Sequence, residues 1–254
     1  MEIETKQTLF SEIEPLRNLY RQEMNCQIVR DSILPRGLAE PYLITIGKHT
    51  AGYGGVWNSY DRDRIMEFYV LPHYRTASVA MFKSLIAESG ATSAEAQTNS
   101  PLMLMMLFDC CQNIGSDTIL FADAFISNHS CNGAVIVRTD DLDPASVFEH
   151  KHEPKGDWAL ELDGNVVATG GALLHYNPPY ADLYMEVDEN YRRQGFGSYL
   201  VQELKRKCYA MGKIPAARCN AENTASRRTL EKAGLLPCAR IVVGDITTSL
   251  IQGA

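Results

Sequence analysis

Apolar and polar residues in the second half of the chain change from strand-like to helix-like spacing around a short glycine segment. Residues 181–187 alternate between the two kinds and predict a strand. Residues 198–211 carry apolar side chains at helical spacing and predict an amphipathic helix, whose apolar face is formed by Tyr199, Leu200, Leu204, Cys208 and Met211. Between them lies Arg192-Arg193-Gln194-Gly195-Phe196-Gly197, so the local order is strand, glycine turn and helix.

The rest of this half divides into further strands and one more helix. Apolar runs bounded by turn residues predict the strands, and a helical run that stops before Gly234 predicts the helix, because glycine commonly ends helices. The predicted strands are 134–138, 158–162, 216–220 and 239–246, and the predicted helix is 226–233.

The first half of the chain repeats this pattern. Residues 66–75 align without a gap on 183–192, at an offset of 117 (192 minus 75), and share Val-x-x-x-Tyr-Arg. We therefore predict two tandem domains, residues 1–128 and 129–254, which meet at a polar, turn-rich stretch. The elements predicted after the aligned segment are a helix at 79–89, a strand at 94–98, a helix at 102–113 that ends at Gly115, and a strand at 118–125.

The composition is that of a soluble globular protein, with 45% hydrophobic residues in a chain of 254. The net charge of −7 disfavours nucleic acid as a partner, because affinity for a phosphate backbone needs an excess of Lys and Arg. Apolar stretches are too short to span a membrane, and the acidic N-terminus lacks the apolar segment of a signal peptide. Seven cysteines without a Cys-x-x-Cys pair favour a reducing compartment, and His150 and His152 lack partners at metal-ligand spacing. We expect a cytoplasmic protein with no metal and no membrane partner.

The glycine turn predicts a binding site for a phosphate or pyrophosphate. Gly195 and Gly197 allow the backbone to approach a ligand closely, and the first N–H groups of the following helix have no partner within the helix. The helix dipole is also positive at that end. In the first half, Ser78 and Ala80 stand at the two glycine positions, and their Cβ atoms would crowd the same space.

These residues resemble two motifs of the GNAT superfamily of acyl-CoA N-acyltransferases. Arg192, Gly195 and Gly197 fill the pattern Arg/Gln-x-x-Gly-x-Gly/Ala, and residues 223–235 are similar to Asn-x-x-Ser…Glu-Lys-x-Gly-Phe. The resemblance implies an α/β (α+β) fold of two tandem GNAT-like domains, each a mixed, mostly antiparallel central sheet flanked by helices. It also implies that acetyl-CoA, as co-substrate, donates an acetyl group directly to a primary amine of a small molecule or peptide. The family commonly pairs, so a monomer or a homodimer is expected.

The same resemblance implies which residues hold acetyl-CoA. The backbone of the glycine turn would bind the pyrophosphate, and the backbone near Val187 would meet the pantetheine arm and the thioester carbonyl. Asn223 would lie near the pantetheine arm, although its position equally suits a helix N-cap. The turn residues are Arg192, Arg193, Gln194, Gly195, Phe196, Gly197 and Ser198.

Attack of an amine on a thioester also needs a base for the ammonium proton and an acid for the leaving thiolate. Asp182, Tyr184 and Glu186 share one face of the predicted strand. Glu186 is the first candidate base and Asp182 the second, and a solvated or salt-bridged carboxylate is the alternative for each. Many family members carry a tyrosine acid where this chain has Leu230, so Tyr184 is the candidate substitute.

Two departures from the family keep another function open. Leu230 removes the usual acid, and residues 139–157 leave little room for the two helices that cover the acceptor site in the family, although residues 8–41 of the first half have that room. The alternative is a catalytically weak CoA-binding regulatory or sensing module. A dinucleotide-binding protein is disfavoured, because position 200 is Leu where Gly-x-Gly-x-x-Gly needs its third glycine. The crowded turn at Ser78 predicts that only the second domain transfers acetyl groups.

Overall fold

The computed structural model describes residues 2–57, 63–247 and 249, and the chain divides into two compact units. The first unit contains the chain up to Thr118 and from Ala239 onward, and the second unit contains Ile119–Cys238. The final strand of the predicted second domain therefore contributes its last residues to the first unit. The division of the sequence between residues 128 and 129 stays a prediction.

Among the residues described, the first unit has a largely antiparallel sheet and the α-helices α1, α2 and α3. Its strands follow the order β1-β2-β3-β4-β5, in which β4 and β5 run parallel and the other described neighbours antiparallel. The elements are β1 (Ile3–Gln7), α1 (Phe10–Glu23), β2 (Ala39–Ile46), β3 (His49–Trp57), β4 (Arg64–Val70), α2 (Ser78–Ser89), β5 (Ser93–Gln97), α3 (Pro101–Cys110) and the start of β6 (Cys111–Asp123).

The second unit repeats this plan with two α-helices. Strands β7 to β10 are antiparallel neighbours, and β10 runs parallel to β11. The elements are β7 (Ala134–Arg138), β8 (Trp158–Leu162), β9 (Asn165–Leu173), β10 (Tyr180–Val187), α4 (Phe196–Ala210), β11 (Ile214–Asn220), α5 (Thr224–Lys232) and the start of β12 (Leu235–Ile246). Residues 241–245 of β12 belong to the first unit, where they pair antiparallel with β5.

The core of the second unit lies between α4 and its sheet. Leu200, Leu204 and Cys208 are buried against Leu183, which confirms most of the predicted apolar face. Tyr199 packs at the edge of this core. Met211 is 50% exposed because α4 ends at Ala210, so its assignment to the apolar face is wrong.

The third helix of the first unit is shorter than predicted. It ends at Cys110, and Gly115 lies inside β6 rather than at a helix C-terminus. Residues 111–114 are held in the sheet by tertiary contacts: the Asn113 amide donates to Asp245, and Ile114 lies against Gly244. Long-range pairing therefore overrides the local helical preference of this segment.

The first unit also contains a single α-helix between residues 8 and 41. After α1, residues 26–38 form a series of turns and no second α-helix. Arg17 anchors these turns from inside, because its guanidinium donates to the carbonyl of Asp31 at 2.8 Å and to its carboxylate at 3.1 Å.

Each unit contains an equivalent hydrogen bond at the predicted repeat. Arg75 Nε donates to the Val70 carbonyl at 3.1 Å, and Arg192 Nε donates to the Val187 carbonyl at 3.2 Å. Each strand is also followed by a short 3-10 helix, Pro72–Ala77 in the first unit and Glu189–Tyr191 in the second. The correspondence at an offset of 117 is thus structural as well as sequential.

Candidate active site

The parallel pair in the second unit opens beside the glycine turn. The β10–β11 ladder begins at Tyr180 opposite Ile214 and ends at Leu183 opposite Ala217, although both strands continue beyond it. The residues of β10 past the ladder, Tyr184 to Val187, therefore border an opening between the two strands.

The glycine turn is a backbone concavity with free donors. Arg193 has φ 64° and Gly195 has φ 93°, so two residues in left-handed conformations precede α4. The first backbone bond of the helix runs from the Tyr199 N–H to the Gly195 carbonyl. In the described part of the chain, the N–H groups of residues 193–198 donate to no other group. Unpaired N–H groups at a helix N-terminus are typical of anion-binding sites.

The two glycines of the turn serve different purposes. Gly195 supplies the left-handed backbone, which costs a residue with a side chain about 1 kcal/mol or more. Gly197 lies against other elements, because a Cβ there would come within 3.2 Å of Thr229 and 3.3 Å of Val187. Gly197 therefore allows α4 to approach β10 and α5 closely.

Charged side chains near the turn are partly engaged within the protein. Arg192 bonds the Val187 carbonyl and lies 3.7 Å from Glu189, so it braces the end of β10. Sequence reasoning missed Lys232, whose ammonium would be 3.8 Å from a Cβ on Gly195. The Glu-Lys-x-Gly segment was the available signal for this residue.

Asn223 is observed as a helix N-cap. Its side-chain oxygen accepts from the Ser226 N–H at 3.0 Å. Its amide nitrogen donates to nothing within the described residues, so the predicted contact with a pantetheine arm stays open.

Asp182, Tyr184 and Glu186 share one face of β10, as their alternation predicted, while Leu183, Met185 and Val187 pack into the core with α4. Glu186 is 7% exposed and is held by three backbone N–H groups. Lys151 donates to Oε1 at 3.0 Å, and His152 and Glu153 donate to Oε2 at 3.1 and 3.0 Å. Desolvation alone would raise the pKa of Glu186, but these bonds outweigh it and lower the pKa.

The three donors to Glu186 belong to a strap, residues 139–157, that crosses this face of the sheet. The strap contains two short 3-10 helices, Thr139–Asp141 and Pro144–Ser146, and no α-helix. Thr139 Oγ1 donates to the Gly156 carbonyl at 2.6 Å, and Gly156 lies so close to Gly170 that a Cβ would collide with the Gly170 backbone. The shortened roof expected from the sequence is this strap.

The pKa of Asp182 is shifted in the direction opposite to that of Glu186. Asp182 is 2% exposed, and its Oδ2 accepts from the Tyr176 hydroxyl at 3.1 Å and lies 3.3 Å from Arg218 Nε. Its Oδ1 is buried and has no hydrogen-bond partner among the described residues. Burial raises the pKa of Asp182 to about 6, against the opposing effects of Arg218 and Tyr176, and Glu153 adds to the rise.

Tyr184 lies between these two carboxylates along the strand. Its hydroxyl packs against Gly171, where a Cβ would come within 2.7 Å of Oη. Burial raises the pKa of Tyr184, and the nearby carboxylates of Asp157 and Glu153 raise it further. Leu230 is buried in the core, so α5 presents no acid at this position.

The corresponding region of the first unit has neither a left-handed turn before its helix nor open space beyond its parallel strand pair. Its 3-10 helix Pro72–Ala77 runs directly into α2, and no residue from 71 to 80 has a positive φ. Beyond the short β4–β5 ladder, Gln97 accepts from the Val29 N–H at 2.9 Å and donates to the Gln27 carbonyl at 2.9 Å. Residues 27–29 therefore occupy the space beside β5.

Two family profiles match the chain in tandem, the Acetyltransferase (GNAT) domain at residues 10–124 and the Acetyltransferase (GNAT) family at residues 124–235. The chain belongs to the GNAT acetyltransferases. No curated protein matches it. Among the helices described, none is long and apolar enough to cross a membrane, and the described residues contain no group of three His, Cys, Asp or Glu side chains that could hold a metal ion.

Solved GNAT structures share the fold over nearly the whole chain. A GNAT-family acetyltransferase from Colwellia psychrerythraea is 17% identical with a TM-score of 0.78, covering 97% of this chain and 100% of that one. A tandem GNAT protein from the clavulanic acid biosynthesis pathway is 11% identical with a TM-score of 0.60, covering 96% and 98%. A GCN5-related N-acetyltransferase from Sphaerobacter thermophilus is 11% identical with a TM-score of 0.56, covering 96% and 95%. At these identities the likeness shows the tandem GNAT fold.

Proposed function

We propose that this protein transfers the acetyl group of acetyl-CoA directly to a primary amine, and that the second domain performs the reaction. The observation that carries the proposal is the glycine turn. Its free N–H groups at residues 193–198 form an anion site at the end of β10, beside the opening between β10 and β11. Val187, Asn223 and the turn residues would hold acetyl-CoA, which supplies the reactive thioester.

Asp182 is our choice for the base. A base needs a free oxygen and a pKa near the working pH, and Asp182 has both. Both oxygens of Glu186 accept backbone hydrogen bonds and its pKa is lowered, so Glu186 is a positioning residue for the strap.

In this mechanism Asp182 takes a proton from the acceptor ammonium, and the freed amine nitrogen forms a bond to the acetyl carbon. The carbon–sulfur bond breaks, and the leaving thiolate receives a proton from the Tyr184 hydroxyl or from water. The new amide nitrogen loses its second proton, which restores that donor. The Tyr184 hydroxyl is protonated at neutral pH, as a donor requires, although its raised pKa makes it a weaker acid than an ordinary tyrosine. Leu230 favours the alternative of a weakly catalytic CoA-binding sensor, because it leaves α5 without an acid.

Calorimetric titration of acetyl-CoA into the full chain tests the binding site. We expect one site per chain, lost in Gly195→Val because a β-branched residue cannot adopt the left-handed turn without strain. Gly212→Val is the matched control, since Gly212 also has a positive φ (66°) but lies outside the turn. Unchanged binding by Gly195→Val would contradict the proposed site, and two sites per chain would contradict a single binding domain.

A panel of primary amines then separates the two functions. Release of CoA with formation of an acetylated amine is the result expected for the enzyme. Tight binding of acetyl-CoA without turnover on any amine would favour the sensor.

A further inference from the structure

The strap carries two exposed carboxylates near the proposed site, Glu153 and Asp157. Glu153 and Asp157 lie close enough to Tyr184 to perturb its hydroxyl, and Glu153 also acts on Asp182. Within the described part of the chain, neither carboxylate makes an ion pair or a hydrogen bond. By contrast, the carboxylate of Glu189 forms an ion pair with Lys151 at 2.7 Å.

The backbone holds both carboxylates in place. The Glu153 N–H donates to Glu186, and the Glu153 carbonyl lies 3.1 Å from His150 Nδ1. Asp157 follows the Gly156 contact with Gly170, and its carbonyl accepts from the Thr139 N–H at 3.0 Å. The backbone of the strap is therefore held by contacts close to each of the two carboxylates.

A separate observation points to a ligand at the same place. Oδ1 of Asp182 is buried and has no hydrogen-bond donor among the described residues, and the residue is 2% exposed. Buried polar atoms are nearly always paired, so this oxygen is open to a donor from water or from a ligand. An ammonium group would provide it.

The charges that surround the site favour a cation over an anion. Asp182, Glu153 and Asp157 carry negative charge there, and Glu186 is already satisfied by N–H groups. Arg218 is paired with Asp182 and also acts on Glu153, and His152 lies near Glu153. An acceptor that carries a carboxylate would meet two carboxylates, while Arg218 is already shared between Asp182 and Glu153.

We propose that the acceptor is a diamine or polyamine, with one amino group at Asp182 and a second, protonated one against Glu153 and Asp157. This inference rests on the proposed function, since it names the substrate class of the same site. Only the first nitrogen loses a proton and is acetylated. The second keeps its charge throughout, so it contributes to binding rather than to chemistry.

The test compares three acceptors of equal length with the full chain: 1,4-diaminobutane, 1-aminobutane and 4-aminobutanoate. We expect the diamine to have the lowest KM. At about pH 8, Asp182, whose pKa is about 6, is ionised with or without Glu153. There the double variant Glu153→Gln/Asp157→Asn should raise the KM for the diamine by roughly tenfold or more, because charge-assisted hydrogen bonds are lost. The KM for 1-aminobutane should change much less, since a monoamine makes none of these bonds. Asp141→Asn, an exposed position on the same strap, is the matched control.

Equal KM values for the diamine and the monoamine, or a double variant that behaves like the wild type, would overturn the inference and leave the proposed function intact. Calorimetric binding of 1,4-diaminobutane in the presence of CoA separates the remaining cases. Diamine binding that the double variant abolishes, without turnover, would support the inference and overturn catalysis. Absence of both binding and turnover would overturn both.

Discussion

Two carboxylates four residues apart on β10 have pKa values shifted in opposite directions because their surroundings differ. Asp182 is buried beside Arg218 and Tyr176, and it retains an oxygen without a partner. Glu186 faces the same side, but both of its oxygens accept hydrogen bonds from backbone N–H groups. Alternation along the strand predicted both side chains on this face, and the family resemblance ranked Glu186 first as base. We now favour Asp182, because the N–H groups of the strap are visible only in the tertiary structure.

The pH dependence of catalysis tests this assignment. Asp182 must be ionised to accept a proton, and its pKa is raised to about 6 by burial, with Glu153 raising it and Arg218 and Tyr176 lowering it. We expect kcat/KM for an amine to fall as the pH drops below about 6. Asp182→Asn should lower kcat by about 100-fold or more and remove this acidic limb. Glu186→Gln is the comparison, and it should keep the limb. Persistence of the limb in Asp182→Asn would assign the base elsewhere.

At the scale of elements, the strap replaces the helical roof that the family resemblance implies. Its fixed points are a close glycine contact at Gly156, a hydrogen bond from Thr139, and the three N–H groups over Glu186. Neither composition nor periodicity marks residues 139–157 as ordered, because the Gly156 contact and the bonds to Glu186 are made with distant strands, and the Thr139 bond joins the two ends of the strap. In contrast, the order of β10, glycine turn and α4 follows from local spacing and matches the prediction within two residues at the helix start.

Removing the charge at Glu186 tests how strongly the strap is held. An amide has one acceptor oxygen, so Glu186→Gln loses at least one of three N–H bonds, and we expect a loss of about 1–3 kcal/mol in the free energy of unfolding at pH 7. Because the pKa of Glu186 is lowered on folding, its charge contributes stability above its ordinary value of 4.5, and this contribution is lost as the pH falls below it. The difference in the free energy of unfolding between Glu186→Gln and the wild type should therefore become smaller at acidic pH.

Denaturant unfolding at several pH values measures this effect. Glu149→Gln, an exposed strap position, serves as the control and should leave stability unchanged. A loss in Glu186→Gln that stays constant down to pH 3 would argue against a charge-assisted role.

At the scale of the whole molecule, the two units share the order of their strands and helices but differ in the turn before the helix that follows the aligned strand. Equivalent arginine–carbonyl bonds end the strands of both repeats. The first unit lacks left-handed residues before its helix, and Gln97 binds the backbone of residues 27–29 beside β5. Substitution at Ser78 and Ala80 predicted a degenerate copy from the sequence. The occupied space beside β5 is a second obstacle, which only the fold revealed.

Restoring the glycines of the first domain tests whether this second obstacle matters. Ser78→Gly/Ala80→Gly supplies the missing glycines, but the 3-10 helix still runs into α2 and residues 27–29 still bind Gln97. We expect calorimetry to give one acetyl-CoA per chain, as in the wild type. A second site in this variant would show that Ser78 and Ala80 alone exclude the ligand.

The sequence by itself determined the tandem repeat, the strand and helix around the glycine turn, and the face shared by Asp182, Tyr184 and Glu186. These properties depend on periodicity and on the backbone freedom of glycine, which act between residues close in sequence. Only the tertiary structure decided that α3 ends at Cys110, that Glu186 binds the strap and that Lys232 lies near the turn. Each of these depends on partners tens of residues away, and burial and hydrogen bonding by such partners change both the conformation and the pKa of a residue.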